Sequence, residues 1–167
     1  MVVQHLITEK KIKIRHPDYV KKIAVYKDRL AVQLPDRVAI YEVAPSSNTM
    51  SMKYRQREKI KQKLTCNLLV VTSLHITLCL DKKLQLMNFQ GKTEREWVLD
   101  SSIRYIKVIG GPPGKEGLLV GLKNGTVLKI FIDNPFPIKL IKQTTAIRCL
   151  DLNCDRTKLS VVDENAE

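Results

Sequence analysis

Residues 110–117 read Gly-Gly-Pro-Pro-Gly-Lys-Glu-Gly, the glycine-rich, lysine-bearing stretch in which a phosphate-binding loop would be sought. Such a loop needs four residues between its glycines, a Ser or Thr after the lysine to meet magnesium, and a helix N-terminus behind it. Here Gly110 and Gly114 enclose three residues, Glu116 follows Lys115, and the next segment alternates like a strand. We read the stretch as a surface turn. Three histidines, His5, His16 and His75, are scattered, and no serine or cysteine sits in an elbow motif. No paired carboxylates stand apart from turn chemistry, so the expectation is that the chain is not an enzyme and holds no cofactor.

Of the four cysteines, only Cys149 and Cys154 are close, and neither a histidine nor a second cysteine pair follows to complete a zinc site. Cys66, Cys79 and Cys149 fall inside apolar strand patterns, which predicts reduced core thiols rather than disulfides or metal ligands.

The most informative polar stretch is 53–64. Every odd position from 53 to 63 is basic: Lys53, Arg55, Arg57, Lys59, Lys61 and Lys63. Side chains on a strand alternate between faces, so a strand would line six positive charges along one side. A helix would smear them around its cylinder, and so polar a run leaves both conformations open. The ridge has two readings: a solvated outer strand whose lysines discourage edge pairing, or a docking ridge for an acidic partner.

These residues need a scaffold, and the pattern around them is β throughout, because apolar residues alternate over short runs ended by turn residues. Leu30, Val32 and Leu34 run into Pro35 and Asp36, and Val38 and Ile40 return, which describes a hairpin. It recurs at Ile76, Leu78 and Leu80 with Leu84 and Leu86 beyond Asp81, and at Leu118, Val120 and Leu122 with Val127 beyond Asn124 and Gly125. A last copy, Leu159 and Val161, leads to Asp163, Glu164 and Asn165. The turn positions 36, 81, 124 and 163 are 45, 43 and 39 residues apart, the period of propeller blades. Each hairpin is preceded by an inner strand, at 20–26, 67–71, 103–109 and 147–152, and followed by a more polar outer one, at 52–63, 92–99 and 138–143.

The expected architecture is therefore all-β: a WD40-like β-propeller fragment of about three complete four-stranded blades plus two half-blades. The division places a trailing half-blade at 1–17, with strands at 2–8 and 11–15, blades at 18–64, 65–100 and 101–144, and a truncated half-blade at 145–167. Half-blades at both ends lead us to expect that further sequence completes a larger ring. Blades must stack, because a four-stranded sheet has two faces to cover. Trp97, in an outer strand, is expected to pack against a neighbouring blade.

Composition agrees with a folded chain: 44% hydrophobic and 28% charged residues exclude a disordered tail. Apolar runs such as 68–71 are too short to cross a bilayer, and no leader pattern opens the sequence, so membrane insertion is not expected. Lys and Arg number 29 against 17 Asp and Glu, a formal charge of +12 that favours acidic partners.

Residues 2–9 (Val-Val-Gln-His-Leu-Ile-Thr-Glu), 29–35 (Arg-Leu-Ala-Val-Gln-Leu-Pro) and above all 103–125, together with 148–151 and 161–165, closely resemble the WD-repeat subunits of intraflagellar transport complex A. Gly-His and Trp-Asp dipeptides are absent, so the repeat rests on period and resemblance. The resemblance implies the second of two N-terminal propellers in a subunit with a helical-repeat remainder. It further implies a scaffold in retrograde ciliary transport, cilium assembly and ciliary entry of membrane proteins. The implied partners are other subunits of that complex and ciliary cargo adaptors, and the implied places are the cilium, the ciliary basal body, the cytoplasm and the cytoskeleton. A competing class is a basic propeller that binds nucleic acid or another anionic surface. With only 5% aromatic residues it would have few stacking platforms, and specific nucleic-acid binding is not expected.

Overall fold

The computed structural model describes residues 1–4, 6, 9, 11–43 and 53–165, and among them every regular element is a strand. β1 (Val2–Gln4) and β2 (Lys11–Lys13) form an antiparallel pair. Of the run expected at 2–8, positions 5, 7 and 8 lie outside the described residues. The first four-stranded sheet comprises β3 (Lys22–Tyr26), β4 (Arg29–Gln33), β5 (Val38–Val43) and β6 (Tyr54–Ile60) in sequence order. The second holds β7 (Leu68–Val71), β8 (His75–Leu80), β9 (Lys83–Asn88) and β10 (Thr93–Val98). The third holds β11 (Ile103–Gly110), β12 (Gly117–Leu122), β13 (Thr126–Phe131) and β14 (Ile138–Lys142), and a final pair joins β15 (Ile147–Leu152) to β16 (Leu159–Asp163). Three whole antiparallel meanders between two half-units match the expected architecture. Of the basic run 53–64, residues 54–60 form a strand and the two ends lie outside it.

The core lies between the sheets. Ala31, Val38, Ile40 and Ile60 of the first sheet meet Leu69, Val71, Ile76, Leu78, Met87 and Phe89, which lie in or beside the second. On its other side, the second sheet and its flanking residues offer Cys79, Leu84, Leu86, Trp97 and Leu99 to Ile103, Leu118, Val120, Leu122, Ile130 and Ile132. Trp97 is 5% exposed and its Nε1 donates to the Pro135 carbonyl at 3.1 Å, so it packs between blades as expected. Each such aliphatic contributes roughly 1.5–3 kcal/mol when fully buried.

The second strand of each sheet buries both faces, and the two faces differ in size. Toward the preceding unit point Leu30 and Val32, then Ile76 and Leu78, then Leu118 and Val120. Toward the following unit point Ala31, then Cys79, and Leu119 beside Gly121. A Cβ at Gly121 would lie 2.5 Å from Ile147 Cγ2, closer than packed atoms approach. The half-units cover only half a face each. Met1, Val3 and Ile14 shield Leu30, Val32 and Tyr41, while Ile23 and Val25 on β3 stay exposed. Likewise β15 and β16 cover Leu119 and Val127 but leave Ile138, Leu140 and Ile141 of β14 exposed.

Turns lock one blade to the next. Asp81 adopts a left-handed φ of 52°, which aspartate tolerates, and its carbonyl accepts from Ile103 N at 2.8 Å where β11 begins. The Ser102 hydroxyl donates to the Asp81 carboxylate.

Gly121→Ala is therefore expected to cost roughly 1–3 kcal/mol in urea unfolding, the cost of overpacking, with no backbone penalty because Gly121 has no positive φ. A loss below about 0.5 kcal/mol, the range of inert surface changes, would refute the close approach of β15 to β12.

Candidate protein-interaction surface

β6 carries the basic run, and its register decides where the charges go. Val38 pairs with Ile60, Ala39 with Lys59 and Ile40 with Glu58, but Tyr41 pairs with Gln56 and Glu42 with Arg55. The skipped residue, Arg57, is the extra one of a β-bulge. Ala39 and Glu42 are three apart on β5 and face opposite sides, so Lys59 and Arg55 do too. The expected single line of six charges is thus broken: Arg55 turns toward the second sheet, Lys59 toward β1 and β2, and Lys53, Lys61 and Lys63 lie beyond the strand ends. All six remain exposed.

Two of the six are spent on a partner that sequence reasoning missed. Glu42, whose side chain is 6% exposed, accepts from Arg55 Nη2 at 2.7 Å, from Arg57 Nη1 at 2.7 Å and from Arg29 Nη1 at 2.8 Å. Hydrogen bonds from Arg55 and Arg57 hold its carboxyl below the usual carboxylate range despite burial, and the same contact raises Arg57. Three cations on a nearly buried carboxylate form a structural hub. Acidic residues outside the alternation carry no sequence signal of such a role.

Arg29 also reaches the next blade, where its Nε donates to the Ser73 carbonyl at 3.2 Å. From the other side, Ser73 N donates to Glu116 Oε1 at 3.0 Å, and Gly114 N to Glu116 Oε2 at 2.8 Å. One residue of the middle blade is thus held by both neighbours through its backbone N–H and C=O. The 110–117 stretch is the turn expected, with positive φ at Gly110, Gly111 and Gly114, and its glutamate, fully buried, serves this clamp. His75 is buried, with Nε2 2.8 Å from Glu94 Oε2, and His16 lies edge-on to the Tyr41 ring. His5 is outside the described residues.

The cysteines are free, as expected, but not uniformly in the core. Burial pushes the Cys79 thiol up to about 12, and Cys66 is half-buried with its pKa also raised by burial. Cys149 is exposed, which corrects its assignment as a core thiol. The register of β15 shifts between Ile147 and Cys149, so Leu150 rather than Cys149 shares the inward face with Ile147.

The opposite rim, where the segments leading into β3 and β7 meet, holds a cleft of about 410 Å³ lined by Tyr19, Lys21, Lys22, Gln33, Leu64 and Cys66, among others. Gln33, almost fully buried, builds its floor. Its carbonyl accepts from Lys21 N at 2.8 Å, its Nε2 donates to the Leu64 carbonyl at 2.8 Å, and its Oε1 accepts from Cys66 Sγ at 3.5 Å.

Antiparallel four-stranded sheets in sequence order, stacked face to face, define a β-propeller architecture. A search of solved structures agrees on the fold: a crystal structure of BBS1N in complex with ARL6DN is 14% identical at a TM-score of 0.71, covering 99% of this chain and 54% of that one. The computationally designed Ika4 protein is 9% identical at a TM-score of 0.56, covering 92% of this chain and 90% of that one. The family model for the IFT122 second β-propeller matches residues 1–167, and the chain belongs to that family. It is 59% identical over 165 residues to the intraflagellar transport protein 122 homolog of Xenopus tropicalis and 60% identical to that of Homo sapiens, each over 99% of this chain. The chain spans 14% and 13% of those relatives' lengths.

The Glu42 hub sets a pH dependence. Its folded pKa is depressed, so it stabilises the native state above the unfolded carboxylate value of about 4.3, and this contribution is lost as pH falls through the folded value. Melting temperatures of wild type and Glu42→Gln are expected to differ most near pH 7, and the gap is expected to narrow only as pH falls below about 4.3 through the depressed folded value. A gap that stays constant with pH would show that the ionised carboxylate is not what holds the three arginines.

Proposed function

We propose that the chain is a non-enzymatic scaffold for protein–protein interaction within intraflagellar transport complex A. On this reading it serves retrograde ciliary transport, cilium assembly and entry of membrane proteins into cilia. Its partners are other subunits of that complex and ciliary cargo adaptors, and it works in the cilium and at the ciliary basal body, with cytoplasmic and cytoskeletal pools. The observation that carries the reading is membership of the IFT122 second β-propeller family together with 60% identity to a transport-protein homolog. The structure supports it physically: blades pinned to each other by Glu42, Ser73 and Glu116 present their rims rigidly, and rigid surfaces lose little entropy on binding. The similarly folded BBS1N was solved in complex with a protein, ARL6DN.

The +12 charge favours a second reading, a module for nucleic acid or another anionic surface. Neutralisation of Arg55 and Arg57 by Glu42 weakens it, as does the scattering of the basic run by the bulge.

Within the scaffold reading, the lysines of the basic run, Lys53, Lys59, Lys61 and Lys63, remain a docking surface for an acidic partner, and Arg55 and Arg57 support the strand. Affinity-tagged chain expressed in ciliated cells is expected to co-purify with identified transport-complex subunits, and reversal of Lys59, Lys61 and Lys63 to glutamate is expected to reduce their recovery severalfold. Unchanged recovery would end the docking role of these lysines. Tight, steeply salt-dependent binding to random DNA at physiological ionic strength would favour the second reading instead.

A further inference from the structure

The cleft between the entries to β3 and β7 adjoins the C-terminal end of the basic run and lies away from the Glu42 hub. On one wall, Tyr19 is 67% exposed beside the exposed Val20, an unusual placement for an aromatic ring in a chain so poor in them. Lys21 and Lys22 follow, and neither takes part in any ion pair among the described residues. The nearby Asp18 does not neutralise them, since its carboxylate is engaged by Arg37 at 3.5 Å. The other wall is formed by Leu64, Thr65 and the half-buried Cys66, an aliphatic side chain and a thiol flanking one exposed hydroxyl residue. Exposed Lys61 and Lys63 extend the positive potential along the chain leading to it.

We propose that this cleft is a docking site for a short acidic segment of a partner protein, one that sets an aromatic or aliphatic side chain against Tyr19, Leu64 and Cys66 while its carboxylates meet Lys21 and Lys22. This deepens, and rests on, the scaffold reading. Charge complementarity chooses the sign of the ligand, because the free cations stand at the cleft and the nearby anion is already paired. Tyr19 and the apolar side chains of Leu64 and Cys66 choose a peptide over a polyphosphate: aromatic and aliphatic contacts are enriched at the cores of protein interfaces, and a nucleic acid would need several stacking rings where the cleft offers one. Gln33 makes the site preformed. Its buried side chain and carbonyl tie both walls together, so little conformational entropy is lost when the cleft is filled.

The test uses a fluorescein-labelled peptide of repeating Glu-Phe-Glu units, followed by anisotropy. Saturable binding to the wild-type chain is expected, weakened about tenfold or more by Lys21→Glu with Lys22→Glu and by Tyr19→Ala. Lys115→Glu, in the 110–117 turn remote from the cleft, is expected to bind as wild type does. Circular dichroism and thermal melts check that every variant is folded. The inference is overturned by an absence of saturable binding, by undiminished affinity in the charge-reversed variant, or by equal or tighter binding of a single-stranded DNA oligonucleotide or of phosphatidylserine vesicles. Tagged chain in ciliated cells separates the two levels of the argument. If wild type and the charge-reversed variant recover identified transport-complex subunits equally, this inference falls and the scaffold reading stands; if wild type recovers none, both fall.

Discussion

A four-stranded sheet exposes two faces, and the second strand of each unit here can be dry only if a neighbour lies on both sides. Leu118 and Val120 face one way, and Leu119 and Gly121 the other, and all four are buried. Stacking is therefore a condition of folding, and the size asymmetry between the two faces sets its geometry. Large aliphatics meet the preceding unit, whereas Ala31, Cys79 and the Gly121 that follows Leu119 let the following one approach. Where only half a neighbour is present, as beside β3 and β14, apolar side chains remain wet.

Hydrophobic burial has no direction, so it does not by itself set how far one blade slides against the next. The polar contacts do. At one rim, Ser73 is held by Arg29 from the preceding blade and by Glu116 from the following one. At the other, Gln33 of the first blade reaches the backbone of Leu64 and the thiol of Cys66 on the way into the second. Buried polar groups are costly unless paired, so these bonds hold only when the blades are in register. Pins at both rims fix the position of one blade against the next, which suits the proposed binding platform.

The repeat was legible because hairpins of alternating aliphatics ended at Asp36, Asp81, Asn124 and Asp163 with a steady period. Local chemistry placed those strands, and local chemistry is what a sequence displays most openly. The basic run was legible as charge but not as geometry. Its alternation is real in the sequence, yet a bulge at Arg57 resets the faces, and a bulge depends on the partner strand. Cys149 was misplaced for the same reason, a register shift in β15. Glu42, Glu116 and Gln33 were invisible because their partners lie 13 to 43 residues away, on strands whose adjacency follows from the fold. The cleft joins 19–22 to 64–66 and has no local signature at all.

The overall charge of +12 is a poor guide to what such a surface recognises. Long-range fields attract anions of every kind, and salt screens them over about 8 Å at physiological ionic strength. Discrimination comes from what each cation already does. Arg29, Arg55 and Arg57 are committed to Glu42, Arg104 pairs with Glu164, and Lys107 pairs with Asp151. Those groups shape the molecule more than they bind its partners. Cations left unpaired beside apolar side chains, at Lys21 and Lys22, join charge to shape, and a protein segment offers both where a phosphate backbone offers only charge. The same reasoning makes the most basic strand of the chain the weaker half of the proposed interaction surface: two of its arginines satisfy a nearly buried carboxylate.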